Sequence, residues 1–93
     1  MIYSLENKNA LVCGSTSGIG RATAKTLAEM GANVILLARS EAKLKETLSE
    51  LPCKEGQSYQ YLIADFTDPQ NVSDTVLGFL SRGNLIHILA LIS

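Results

Sequence analysis

The 93-residue chain reads as an α/β protein built on a parallel sheet. Three observations predict this. Apolar runs suited to buried strands alternate with segments of helical periodicity, in the order βαβαβαβ. The run 33–38, Asn-Val-Ile-Leu-Leu-Ala, is aliphatic without alternation, as in a parallel strand covered on both faces. The first apolar run ends at Cys13 and opens into Gly14-Ser-Thr-Ser-Gly-Ile-Gly20, a glycine-rich turn between a strand and a helix.

Each element has its own signals. Residues 9–13 form a buried first strand. Residues 18–30 form a helix stopped by Gly31. The second strand, 33–38, is followed by Ser40, an N-cap for a helix carrying Leu44, Leu48 and Leu51 at helical spacing before Pro52. A polar loop over 54–58 leads to a third strand at 59–64. Asp68-Pro69 pairs a cap with proline at the first helical position, and Val72, Val76, Phe79 and Leu80 mark one face of the helix that follows. Gly83-Asn84 breaks it, and residues 85–92 form the fourth strand. Such units wind by right-handed crossovers. The whole of 1–93 is expected to be one domain.

Composition narrows the function. A net charge of −1 with no basic block argues against a nucleic-acid partner. No apolar stretch is long enough to span a membrane, and the first residues lack the pattern of a signal peptide. Cys13 and Cys53 have no metal-ligand spacing, and the single histidine cannot complete a zinc site, so no metal is expected. Reduced thiols in a cytoplasm are the plain reading. Cys13 and His87 both fall inside apolar strands and read as core residues.

The glycine turn points to an anion. Gly14 permits a sharp exit from the strand, Gly18 leaves room for a phosphate beside the main chain, and Gly20 allows the helix to approach the sheet. Unpaired N–H groups and the dipole at the helix start favour negative charge. The hydroxyls of Ser15, Thr16 and Ser17 suit a phosphate, or simply cap the helix.

With its Gly-x3-Gly-x-Gly spacing, Gly14-Ser-Thr-Ser-Gly18-Ile19-Gly20 resembles the cofactor loop of the short-chain dehydrogenase/reductase family. The resemblance continues through Val34-Ile-Leu-Leu-Ala-Arg39 and Ala64-Asp-Phe66 and covers most of the chain, roughly residues 5–89. It implies half of a Rossmann-type doubly wound sheet with strand order 3-2-1-4. It also implies a dinucleotide at the carboxyl ends of the strands. The cofactor-binding set would be Gly14, Ser15, Thr16, Ser17, Gly18, Ile19, Gly20, Arg39, Ser40, Asp65 and Phe66. Arg39 stands where an acidic residue would repel a 2′-phosphate, and its guanidinium can pair with that phosphate, so NADP(H) is the expected cofactor, with a solvated surface arginine as the plain alternative. The resemblance implies that Asp65 bonds the adenine amino group and that Phe66 adds a backbone contact. A loop aspartate bonding its own main chain is the plain alternative for Asp65. Asp68 reads as a helix cap.

The family's chemistry needs a tyrosine with a lysine four residues later. Here Tyr3, Tyr59 and Tyr61 are followed at that distance by Asn7, Ile63 and Asp65. An Asn-Asn-Ala-Gly turn after the fourth strand is replaced by Ala90-Leu-Ile-Ser93, and the usual threonine before the first glycine is Cys13. No catalytic residue is therefore expected. The reading is an NADP(H)-binding amino-terminal part of a carbonyl-reducing oxidoreductase, closest to 3-oxoacyl-carrier-protein reductases, truncated and inactive alone. The rivals are a non-catalytic dinucleotide-binding module and an interaction protein with a vestigial loop. An apolar fourth strand with an open edge further predicts a homo-oligomer through strand 4 and an uncovered sheet face.

Overall fold

The structure, a computed structural model, describes residues 5–14, 18–52, 57–65 and 67–91. Its elements run β1 (Asn9–Cys13), α1 (Gly18–Glu29), β2 (Asn33–Ala38), α2 (Glu41–Glu50), β3 (Tyr59–Ile63), α3 (Pro69–Ser81) and β4 (Ile88–Leu91). All strand pairs are parallel and the order across the sheet is β3-β2-β1-β4, as expected. The reversal of winding direction falls between β1 and β4.

The two sheet faces carry separate apolar clusters. On one, Val12, Val34, Leu36 and Ala38 pack with Ala24 and Ala28 of α1 and Leu44 of α2. On the other, Leu11, Cys13, Ile35 and Leu37 pack with Phe79 of α3 and Ala64 after β3. Alternate residues of β1 and β2 thus enter opposite clusters, and every position must be apolar. This is why β2 shows no alternation in sequence. Small residues Gly20, Ala24 and Ala28 recur every fourth position on the buried side of α1, which lets its axis lie close to the sheet.

Helix ends follow from their caps. At the end of α1, Gly31 takes φ +97°, its N–H bonds to Ala28 O at 3.0 Å, and the Ala32 N–H bonds to Leu27 O at 3.1 Å. This pair of bonds closes the helix and needs a left-handed residue at 31. The helix stops one residue earlier than the sequence suggested, because Met30 already belongs to the turn. Ser40 caps α2, accepting from the Lys43 N–H at 3.4 Å. Asp68 caps α3, accepting from the N–H groups of Gln70 (3.1 Å) and Asn71 (3.3 Å), with Pro69 opening the helix.

Four further expectations are corrected. Strand β3 ends at Ile63, although the Ala64 N–H still reaches Ala38 O at 3.0 Å. Leu80 does not join the inner face of α3. It is 39% exposed, because the helix points Val72, Val76 and Phe79 at the sheet and turns Leu80 to its flank. Strand β4 begins at Ile88, since the Leu85 carbonyl is taken by the Asn9 side chain and not by a strand partner, and Ile92 lies outside the described residues. His87 is exposed, not a core residue: it precedes β4 at the sheet's amino edge, where its Nδ1 accepts the Asn9 N–H at 3.0 Å.

Among the described residues, Phe79 is the largest side chain that is fully buried. Phe79→Ala should lower unfolding free energy by about 3–5 kcal/mol, a large part of what a domain of this size possesses. Leu77→Ala, on the exposed side of the same helix, should change it by no more than about 0.5 kcal/mol. Urea denaturation of the two variants checks both values.

Candidate functional site

The carboxyl ends of β1, β2 and β3 lie along one edge and carry three of the residues singled out in sequence. Gly14 leaves β1 with φ +79°, and its N–H donates to Leu37 O of β2 at 3.0 Å. Arg39 follows β2 directly and is exposed. Asp65 follows the buried Ala64 one strand further out. The chain returns at Gly18, which opens α1 with φ +52°. Among the described residues, a Cβ built on Gly18 would meet no atom within 4 Å outside its chain neighbours. Backbone conformation, not crowding by the described residues, therefore accounts for this glycine. Ile19 is 74% exposed on the first turn of α1, while Gly20 is buried against the sheet. Ser15, Thr16, Ser17 and Phe66 lie outside the described residues.

Asp65 is held by its own loop. Its Oδ1 accepts from the Thr67 N–H at 2.9 Å and from the Thr67 hydroxyl at 2.7 Å. The Asp65 N–H donates to Asn71 Oδ1 at 2.8 Å. The bonds from Thr67, first its hydroxyl and then its N–H, hold the carboxyl below its ordinary pKa, with a smaller contribution from the positive charge of Arg39. A lowered folded pKa means that the stabilisation is complete above the unfolded value and is lost as pH falls through the folded one. At neutral pH the loop presents a carboxylate beside a guanidinium.

Thr67 and Asn71 escaped the sequence reading, although Asp-x-Thr is a local pattern in which an aspartate bonds the residue two further on. The plain alternative for Asp65 is thus realised, and it fixes the carboxylate at the edge. Ser40 sits at the same edge with its hydroxyl engaged as the α2 cap.

Other groups serve the fold. Cys13 is buried at the end of β1 beneath Gly14, and burial raises its thiol pKa. The Tyr59 hydroxyl donates to the Pro52 carbonyl at the amino end of β3, away from the glycine turn. Arg21 pairs with Glu50 and, at 3.7 Å, with Glu46, tying α1 to α2. A cavity of about 360 Å³ between these helices is lined by Gly18, Arg21, Lys25, Thr47, Glu50 and Leu51, so carboxylate and cation charges already face one another there. Among the described residues no cluster of His, Cys, Asp and Glu could hold a metal ion, and no helix is long and apolar enough to cross a membrane.

Residues 8–91 match the family model for short chain dehydrogenase. The chain is 48% identical over 61 residues to the uncharacterized oxidoreductase YvaG of Bacillus subtilis, spanning 66% of this chain and 23% of that protein. It is 37% identical over 67 residues to the very-long-chain 3-oxoacyl-CoA reductase of Anas platyrhynchos, spanning 72% of this chain and 22% of the relative. It therefore spans less than a quarter of the length of these two relatives. The solved structure of L-sorbose reductase from Gluconobacter frateurii, complexed with NADPH and L-sorbose, superposes with a TM-score of 0.81 at 32% identity, covering 96% of this chain and 34% of the reductase. The parallel order 3-2-1-4, the glycine-rich segment after β1 and the family match over residues 8–91 agree: the chain belongs to the short-chain dehydrogenase/reductase family.

Proposed function

We propose that residues 1–93 are one dinucleotide-binding domain, the NADP(H)-binding amino-terminal part of an oxidoreductase that interconverts carbonyls and alcohols. One observation carries this reading. Gly14, Arg39 and Asp65 follow three adjacent strands on one edge, and Gly18 opens α1 with a positive φ after the glycine-rich segment. Open sheets of this kind bind ligands beyond the carboxyl ends of their strands, at the reversal of strand order. The bound NADPH complex of L-sorbose reductase supports the choice of cofactor class. When bound, the cofactor supplies the hydride, and this chain's residues hold and orient it. Ser15, Thr16, Ser17, Gly18, Ile19 and Gly20 would receive the pyrophosphate. Arg39 and Ser40 would receive the ribose and its 2′-phosphate, and Asp65 and Phe66 the adenine. A reducing cytoplasm belongs to the same reading, in keeping with the buried free thiol of Cys13.

The chain should bind NADPH about tenfold or more tightly than NADH, the value of one charge-assisted contact to the 2′-phosphate. Calorimetric titration with both cofactors measures the ratio. Arg39→Ala should bring it close to one; a ratio untouched by that change would remove the basis for the assignment.

These 93 residues hold no Tyr-x3-Lys pair, and the Tyr59 hydroxyl is engaged at the opposite edge. The purified chain should therefore consume no NADPH with any carbonyl substrate. Turnover that disappears in Gly18→Asp would contradict this.

We also propose that the chain associates with itself through β4. This strand pairs only with β1 among the described residues, so its outer edge offers unpaired backbone groups. Leu85 and Leu89 are 65% and 58% exposed beside it. Leu89 is level with Leu11, on the face that α3 covers only further along the sheet. Light scattering at micromolar concentration should find a dimer that Leu89→Lys converts to monomer. A monodisperse monomer of the unaltered chain would overturn the proposal. A chain that forms a defined oligomer but binds no nucleotide would instead be an interaction protein with a vestigial loop.

A further inference from the structure

The amino edge of the sheet, opposite the glycine turn, carries a continuous line of side-chain hydrogen bonds. Asn9 opens β1 and Asn33 opens β2, and the two are level across the pair. Asn33 Nδ2 donates to Asn9 Oδ1 at 3.0 Å. Asn33 Oδ1 in turn accepts the N–H of Ser58, the residue before β3, at 2.9 Å. On the other side Asn9 Nδ2 donates to Leu85 O at 2.7 Å. The Asn9 N–H donates to His87 Nδ1 at 3.0 Å, and the His87 N–H returns to Asn9 O at 2.9 Å. Two asparagines therefore touch the approach to all four strands.

The apolar pattern cannot do this work. Strands normally keep their register because a slip of one residue exchanges their buried and exposed faces. Here Ala10-Leu-Val-Cys13 and Val34-Ile-Leu-Leu-Ala38 are buried at every position. A slipped β1 or β2 would place aliphatic side chains on both faces just as before. Ile88-Leu-Ala-Leu91 is equally uniform. What changes on a slip of about 3.3 Å is the polar edge. Asn9 can meet Asn33 and Leu85 together only when the strands are level.

We propose that Asn9 and Asn33 form a register lock for the sheet, and that β4, the shortest strand and one with an exposed leucine at its centre, depends on Asn9 for its docking. The lock uses both ends of each amide. Asn33→Asp keeps the acceptor for Ser58 but loses the donor to Asn9, whereas Asn33→Ala loses both. These bonds lie at the amino edge and involve no nucleotide, so their loss and a failure of cofactor binding are separable.

Amide hydrogen exchange, corrected for intrinsic rates, reads the lock bond by bond. In Asn33→Ala the Ser58 amide should exchange about tenfold faster, the factor that one net hydrogen bond of ordinary strength represents. In Asn33→Asp it should stay protected. In Asn9→Leu the amides of residues 87–90 should accelerate about tenfold while that of Leu36, in the sheet centre, changes far less. His87→Ala, a substitution at an exposed site that leaves the core intact, should accelerate the Asn9 amide and keeps the test available if Asn9→Leu does not fold. Unchanged protection of Ser58 in Asn33→Ala, or of Asn9 in His87→Ala, would overturn the lock. So would a uniform acceleration across the sheet in Asn9→Leu, which would mark general destabilisation in place of local register.

Discussion

The burial of β1 is the constraint on which the rest depends. Ala10, Leu11, Val12 and Cys13 are all at most 4% exposed. A backbone so deeply enclosed must satisfy its N–H and C=O groups on both edges, because each unpaired group would cost on the order of 1–3 kcal/mol. β2 supplies one edge and β4 the other. Side chains leaving β1 in both directions must then be covered on both faces. α1 and α2 cover one, and α3 covers part of the other. The order β3-β2-β1-β4 follows, and with it the reversal of winding beside β1 where a ligand crevice belongs.

The two edges of this sheet have opposite characters. At the amino edge, polar side chains bond to one another and to the main chain. Gln57 adds to this by donating to Ala28 O and Ala32 O at the end of α1, at 2.9 and 2.7 Å. At the carboxyl edge, Gly14 and Gly18 take positive φ values and Arg39 is exposed. Polar contacts that tie one end of the strands together leave the other free to present backbone groups and charge. Asp65 joins the two requirements, since the bonds from Thr67 that orient it also keep it ionised.

Only part of this chain's apolar surface is enclosed. Leu77 on α3 and Leu85 and Leu89 at β4 stand in solvent, whereas the second cluster around Phe79 is closed. The contrast is between the β2–β1 centre, where helices lie on both faces, and the β4 side, where Ile86 still packs against the Phe79 cluster but Leu89 stays exposed. Stability therefore rests on the central strands. β4 is held more by backbone pairing and the Asn9 side chain than by apolar contact.

Local chemistry made the elements legible. β2 and β1 match their expected bounds because uninterrupted aliphatic runs have no other stable home, and Ser40, Asp68-Pro69 and Gly31 mark helix ends through bonds made within a few residues. The glycine turn, Arg39 and Asp65 were legible for the same reason, each lying at the end of a strand that could be read. What depended on partners far along the chain was not legible. Leu80 and Phe79 are adjacent and similarly apolar, and only the seating of α3 on the sheet buries one and exposes the other. His87 looks like a core residue within its apolar neighbours. Its exposure and its bond to Asn9, 78 residues earlier, exist only once β4 lies beside β1. Which segments are strands and helices, and which residues end them, is written in the order of residues alone, since both depend on short-range sterics and hydrogen bonds. The register, the start of β4 and which leucines meet water emerge only in the folded chain, since they depend on contacts between segments that the assembled sheet brings together.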